Sequence, residues 1–288
     1  MNNKIRNIGV HLSISGGVHK SLERAMLLNI NAIQIFLKGS TRWESPAYKK
    51  EQIDNFNKIR KGFANLKVFA HSSYLINLCS EGELLTKSIN SLLDEIDRAD
   101  LLKIDYIVIH PGSHKGIGET SGIRRISSAL DTVFQKRDHS KVKILLETVA
   151  GQGTNIGYKF EHLRDILDYS KYSERLEVCI DTCHIFAAGY RISDQEGYYN
   201  TIAEFDNVVT LKKLQLIHIN DSKKECGSRV DRHEHIGSGL IGELGFKLLL
   251  NDERLKFIPQ ILETPKFNEF EADKANLNKA YSLFDKKD

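Results

Sequence analysis

The sequence predicts a single-domain (β/α)8 barrel, the TIM-barrel class, spanning residues 1–288. Two observations carry this. Eight short, nearly continuous apolar runs alternate from end to end with longer amphipathic stretches. Six of those runs end on a His, Asp or Glu, and in a (β/α)8 barrel the functional groups sit at the carboxyl ends of the strands.

The first run, NIGVHL at 7–12, precedes a helical pattern over 17–29. AIQIFL at 32–37 is followed by a pattern over 51–65, KVFAHS at 67–72 by one over 83–102, and YIVIHP at 106–111 by one over 121–136. KILLET at 143–148 leads into 158–170, LEVCID at 176–181 into 197–212, LQLIHI at 214–219 into 241–251, and PQILET at 259–264 into 269–284. Runs apolar at nearly every position mark strands buried on both faces, as in parallel sheets. The clearest helix is 83–102, where Leu85, Ile89, Leu92, Ile96 and Ala99 recur at steps of three and four. A doubly wound open sheet would place its site at one switch crevice rather than on six strand ends. No linker or low-complexity tract divides the chain.

Composition bounds the function. With 41% hydrophobic and 27% charged residues, the chain is an ordinary globular protein. Its 41 basic and 38 acidic residues leave a net charge of +3, which permits a polyanionic partner without requiring one. No run approaches a membrane span, the start MNNKIRNIGVHL lacks a long apolar segment, and the four cysteines lack zinc-finger spacing. The expectation is a monomeric cytoplasmic protein with reduced thiols and no membrane association. Cys179 and Cys183, which bracket Asp181, are secondary candidates for soft ligands.

The runs end on His71, His110, Glu147, Asp181, His218 and Glu263, and His184 follows Asp181 closely. In the stretch after His218, Asp231 and His233 stand two apart, so in an extended segment they point the same way and can grip one cation. One histidine after a strand is usually structural. Nine candidate ligands with the same placement are not explained by packing, because charged groups are almost never buried without a partner. Zinc prefers about four ligands, so nine imply two or three ions with a bridging carboxylate. Five imidazoles favour zinc, with Mn²⁺ or Fe²⁺ as occasional occupants. Three divalent ions against four carboxylates leave roughly +2, a site that attracts a phosphodiester and a hydroxide. Hydrolytic phosphoryl transfer fits such a cluster. Arg232, placed between two candidate ligands, is a candidate phosphate contact. Gly151, Gly153 and Gly189 read as points of close backbone approach to the substrate.

Long motifs go further. HSSYLINL at 71–78, CIDTCHIFAAGY at 179–190 and HINDSKKECGSRVDRHEHIG at 218–237 resemble the endonuclease IV family of apurinic/apyrimidinic endonucleases. HLSISGG at 11–17, HPGSH at 110–114, ETVAGQG at 147–153 and ILET at 261–264 add to a likeness that covers essentially the whole chain. The resemblance implies three zinc ions: His71, His110 and Glu147 at the first, Asp181, His218 and Glu263 with the bridging Glu147 at the second, and His184, Asp231 and His233 at the third. It implies hydrolysis of duplex DNA 5′ to an abasic site, giving a 3′-hydroxyl and a 5′-deoxyribose phosphate, together with cleaning of blocked 3′ ends. Glu147 would be the catalytic residue, orienting the attacking hydroxide.

Tyr74 and Leu75 match the family's DNA-penetrating loop, where an amphipathic ring and an apolar side chain suit insertion into the base stack. The segment KGSTRWES at 38–45 departs from the commoner family pattern, which has an Arg two residues before the Trp. Here Thr41 takes that place, and Arg42, adjacent to Trp43, is the candidate DNA contact. Sugar isomerases and epimerases share the architecture, and Glu147, Asp181, His218 and Glu263 alone could support their chemistry. The five further ligands would have no task there. A zinc-stabilised binding module fits less well, since structural zinc sites are usually closed and rich in Cys.

Overall fold

A strand that separates a filled barrel interior from a shell of helices must be apolar on both faces, and the eight predicted runs all form such strands. The computed structural model describes residues 7–266 and 270–285. The barrel strands are β1 (Ile8–Leu12), β2 (Ala32–Phe36), β3 (Lys67–His71), β4 (Tyr106–Ile109), β5 (Lys143–Glu147), β6 (Leu176–Asp181), β7 (Leu214–His218) and β8 (Gln260–Leu262). All pair in parallel in sequence order, and β8 returns to β1 with Gln260 opposite Ile8. The fold is therefore a closed, all-parallel eight-stranded barrel, as the alternation predicts.

The pleat sorts each strand. Ala32, Phe69, Val108, Leu145, Cys179, Leu216 and Ile261, one from each of seven strands, form a dry cluster inside the barrel. Their neighbours Ile33, Val68, Ile107, Leu146, Val178, Ile217 and Leu262 face outward and join the larger core beneath the helices. The eighth strand contributes Gly9, in register with Ala32. Its backbone conformation is ordinary, but a Cβ there would lie 1.6 Å from the Ala32 carbonyl oxygen. Close approach of β1 to β2 is what demands glycine.

The shell comprises α1 (Lys20–Leu28), α2 (Lys50–Lys61), α3 (Gly82–Leu102), α4 (Glu119–Lys136), α5 (Phe160–Tyr169), α6 (Thr182–Ala188), α7 (Gln195–Val208), α8 (Gly242–Asn251) and α9 (Glu271–Ser282). On α3 the predicted stripe is the packed one: Leu92, Ile96 and Ala99 are fully buried, and Leu85 and Ile89 pack partly against the core. β1 and β6 end where the predicted runs do, and the other six strands end one or two residues earlier, where the chain turns into polar loops. Of the helix predicted over 269–284, residue 269 lies outside the described residues. The pattern over 197–212 divides into α7 and a short 3-10 turn, Leu211–Lys213. Helix α6 was not predicted. All four cysteines are free thiols, and no helix among the described residues is long and apolar enough to cross a membrane.

Gly9→Ala is expected to force β1 away from β2 and to lower stability by about 1–3 kcal/mol, the usual cost of overpacking a core. Denaturant unfolding with metal content held constant checks this. An unchanged midpoint would mean that the two strands do not depend on the missing Cβ.

Candidate metal centre

Two residues past each member of the dry cluster, the pleat again points inward. On six strands that next position is a predicted ligand: Phe69 leads to His71, Val108 to His110, Leu145 to Glu147, Cys179 to Asp181, Leu216 to His218 and Ile261 to Glu263. On the other two it is His11, after Gly9, and Gln34, after Ala32. A polar ring thus sits directly on a dry floor at the carboxyl end of the barrel.

Glu147 is fully buried near the centre of the ring. One of its oxygens, Oε2, lies 3.1 Å from His71 Nε2 and 3.2 Å from His110 Nε2, while Oε1 lies 2.9 Å from His218 Nδ1. His218 Nδ1 also stands 3.3 Å from Glu263 Oε2 and 3.8 Å from Asp181 Oδ2. Glu147 therefore faces two groups of donors with its two oxygens.

A third group comes from outside the ring. Asp181 caps α6: its Oδ1 accepts the His184 backbone N–H at 2.9 Å. That cap turns the chain into a helix at once and swings His184 back over the ring, with Nε2 3.2 Å from Asp231 Oδ2. Asp231 and His233 arrive on the long loop after β7, and Asp231 Oδ1 lies 3.3 Å from His233 Nε2. The loop is folded back by a short pairing of Asp221 and Ser222 with Glu234 and His233. Buried Asp221 fixes this turn by accepting four backbone N–H groups, from Ser222, Gly237, Gly239 and Ile241, at 2.8–3.0 Å.

Outer hydrogen bonds orient the imidazoles, as they do around ligating histidines. His71 Nδ1 lies 2.8 Å from Ser72 O, His184 Nδ1 2.7 Å from Thr148 O, and His218 Nε2 2.8 Å from Gln34 Oε1. Asn220 donates to Asp181 Oδ2 at 2.6 Å and accepts the Glu263 N–H at 2.8 Å. Gln34 and His11 both reach Glu263 Oε1, at 2.6 and 3.1 Å.

Ligand atoms fall into groups each spanning less than 4.8 Å: His71, His110 and Glu147; Glu147, Asp181, His218 and Glu263; and His184, Asp231 and His233. Cys183 shares a further grouping with Asp181 and His233, but burial pushes its thiol up to about 12. The donor set fits divalent cations. His233 Nε2, one of the atoms of this third group, is buried and lies 3.3 Å from Asp231 Oδ1 and 3.7 Å from Asp181 Oδ2 without well-aligned hydrogen-bond geometry to either. Four carboxylates also converge where only imidazoles can balance them. Burial opposes ionisation of Glu147, yet the His218 and His110 imidazoles outweigh it and hold its carboxyl well below the usual range. Burial likewise pulls His233 down, but Asp181 and Asp231 prevail and push it up to about 9.

All nine predicted ligands are thus brought together. Tyr74 stands on the rim, its side chain exposed and its ring 5.4 Å from His71 and 5.9 Å from His110. Leu75 beside it is half-buried. Arg42 and Arg232 are exposed and lie outside the cluster, Arg232 donating to the Asp231 carbonyl at 2.6 Å. Gly151, Gly153 and Gly189 have φ of 82°, 63° and 117°, so turn conformation alone accounts for glycine at each. Gln34 and His11 were missed as site residues. The signal for Gln34 was a polar residue inside an otherwise apolar run.

Fold and donor set together define a (β/α)8 barrel with a candidate metal centre of several ligand groups. Residues 22–285 match the family described as xylose isomerase-like TIM barrel. The probable endonuclease 4 of Chloroflexus aurantiacus is 45% identical over 276 residues, covering 96% of this chain and 97% of that protein. That of Geotalea daltonii is 46% identical over 272 residues, 94% and 95% of the two chains. The crystal structure of endonuclease IV from Thermus thermophilus superposes with a TM-score of 0.86 at 35% identity, covering 97% of this chain and 98% of that one. A D-tagatose 3-epimerase-like protein at 18% identity and a TM-score of 0.70 shares the fold alone. The chain belongs to the endonuclease IV family and is a nuclease.

The carboxylates around His71, His184, His218 and His233 outweigh burial and favour their protonated forms, so a cation must displace protons there. Zinc binding to metal-depleted protein is therefore expected to release protons, and its affinity should fall as the pH drops below about 9, where His233 gains its proton. Calorimetric titration in buffers of different ionisation enthalpy checks this. A binding heat independent of the buffer would contradict it.

Proposed function

We propose that the chain is a zinc-dependent DNA repair endonuclease that hydrolyses the phosphodiester 5′ to an abasic site in duplex DNA, leaving a 3′-hydroxyl and a 5′-deoxyribose phosphate, and that it also clears blocked 3′ ends. The observation that carries this is the placement of Glu147, which faces His71 and His110 with one oxygen and His218 with the other in an open, polar ring. The names of the relatives support the same reading.

His71, His110 and Glu147 would hold one zinc, Asp181, His218 and Glu263 with Glu147 a second, and His184, Asp231 and His233 a third. Ions held there would acidify a water, polarise a phosphoryl oxygen and place positive charge near the departing oxygen. The chain supplies the rest. Glu147 cannot leave the centre, because burial and three imidazoles fix both its oxygens, and it serves as the group that orients the attacking hydroxide. The dry floor below the ring keeps the reacting groups at the open face. Tyr74 and Leu75 stand on that face beside His71, where they can enter a base stack. Extruding an abasic nucleotide costs less than extruding an intact one, so part of the selectivity comes from the substrate itself. Arg42 and Arg232, whose exposure leaves them free to reach a backbone, would make phosphate contacts. The protein is proposed to act as a cytoplasmic monomer, its 1–288 chain forming one catalytic domain.

Incubation of the zinc-loaded protein with a duplex carrying one synthetic abasic analogue should yield a single nick 5′ to the lesion with a 3′-hydroxyl terminus. Cleavage at intact positions with equal efficiency would refute the assignment. Glu147→Gln should lower turnover by several orders of magnitude while duplex binding largely survives. Near-normal turnover would remove Glu147 from the mechanism. Replacing Tyr74 and Leu75 together by Ala should weaken binding to abasic duplex far more than it slows a single turnover at saturating enzyme. Equally tight binding by that variant would show that the wedge lies elsewhere.

A further inference from the structure

Away from the metal ring lies a second buried polar cluster to which the reading above gives no task. Lys38 follows β2, and its side chain is 1% exposed. Its Nζ donates to the Trp43 carbonyl at 3.2 Å, the Ser91 carbonyl at 3.1 Å and Asp94 Oδ2 at 3.0 Å, which uses all three of its protons. Glu95, on α3 and equally buried, lies 3.7 Å from the same nitrogen. Its Oε1 accepts the Ser73 backbone N–H at 3.1 Å, one residue before Tyr74.

The contacts reach two separate loops. One, after β2, carries Arg42 and Trp43. The other, after β3, carries Tyr74 and Leu75. The loops also meet each other, since the Ser40 carbonyl accepts both the Ser73 hydroxyl at 2.8 Å and the Tyr74 N–H at 3.0 Å. Arg98, one turn along α3, donates to the Ser45 and Pro46 carbonyls and completes the attachment of the first loop.

A lysine and a glutamate buried this deeply cost more than apolar residues of the same volume would, so stability does not account for them. Burial pushes the Glu95 carboxyl up to about 7 against the pull of Lys38. What the pair provides is position: one point on α3 fixes the height of two loop tips relative to each other. We propose that Lys38 and Glu95 are positioning residues for lesion recognition, setting the loop that bears Arg42 and the loop that bears Tyr74 and Leu75 at the spacing needed to grip DNA on both sides of an extruded nucleotide. The inference rests on the abasic-endonuclease reading.

Trp43 is the only tryptophan in the chain, and its carbonyl is one of the groups Lys38 holds, so its fluorescence reports on the loop without any assay of activity. Lys38→Met should increase acrylamide quenching of Trp43 and raise KM for abasic duplex about tenfold or more, the loss expected when a charged group's hydrogen bonds are removed. The kcat at saturating duplex and the zinc content should stay within about twofold of the parent, a split that general destabilisation would not produce. Should Lys38→Met fail to fold, Glu95→Gln serves, since it keeps an acceptor for the Ser73 N–H and removes only the charge facing Lys38. Unchanged quenching, or a mobilised Trp43 with unchanged KM, overturns the proposal. A fall in kcat together with zinc content also overturns it, by placing the pair in support of the metal centre. Failure of the underlying reading is separate and visible first, as a parent protein without activity on abasic duplex.

Discussion

Everything at the functional end of this chain depends on the two-residue period of a strand in a closed parallel barrel. Inward positions come in layers. The lower layer, from Ala32 to Ile261, is apolar and excludes water. The layer above it must then face the same narrow interior, and here it carries His71, His110 and Glu147 and, beside them, Asp181, His218 and Glu263. Side chains of this kind are not left buried and unpaired. They either neutralise one another by sharing protons or are neutralised by cations, and the convergence of the buried Nε2 of His233 on both Asp231 and Asp181, at 3.3 and 3.7 Å, suits a cation between them.

The barrel strands alone would give only the ring. The third donor group distinguishes this chain, and it needs two local devices. Asp181 acts twice, as a ring member and as the N-cap of α6, so that the helix starts at once and returns His184 to the centre. Asp221 gathers four backbone N–H groups and bends the following loop so that Asp231 and His233 arrive opposite His184. Arg232 and the Tyr74 tip lie around the open face formed in this way. The candidate metal ligands and the proposed substrate contacts are thereby neighbours in the chain.

Much of this was legible in the residues. Strands buried on both faces leave apolar runs, and where the run ends at an inward position the ring residue announces itself, as at His71, Glu147 and Asp181. Gln34 was illegible by that rule because β2 continues through Ile35 and Phe36 beyond it. His11 was hidden in the same way, one residue before the end of β1. Helix α6 has seven residues, too few to show a periodic stripe, and only its Asp cap and closing Gly189 mark it. The departure at Thr41 and Arg42 was visible, but the clamp beneath it was not, since Lys38, Asp94 and Glu95 look like surface charge until α3 brings them under the loops.

One ring and two flanking segments are proposed to form three cation sites, two of them sharing Glu147. Counting the metal tests this most directly. Protein purified without chelator and assayed while fully active should contain close to three ions per chain, mostly zinc, and anomalous scattering should place one in each donor group. One ion per chain, or none, at full activity would contradict the account.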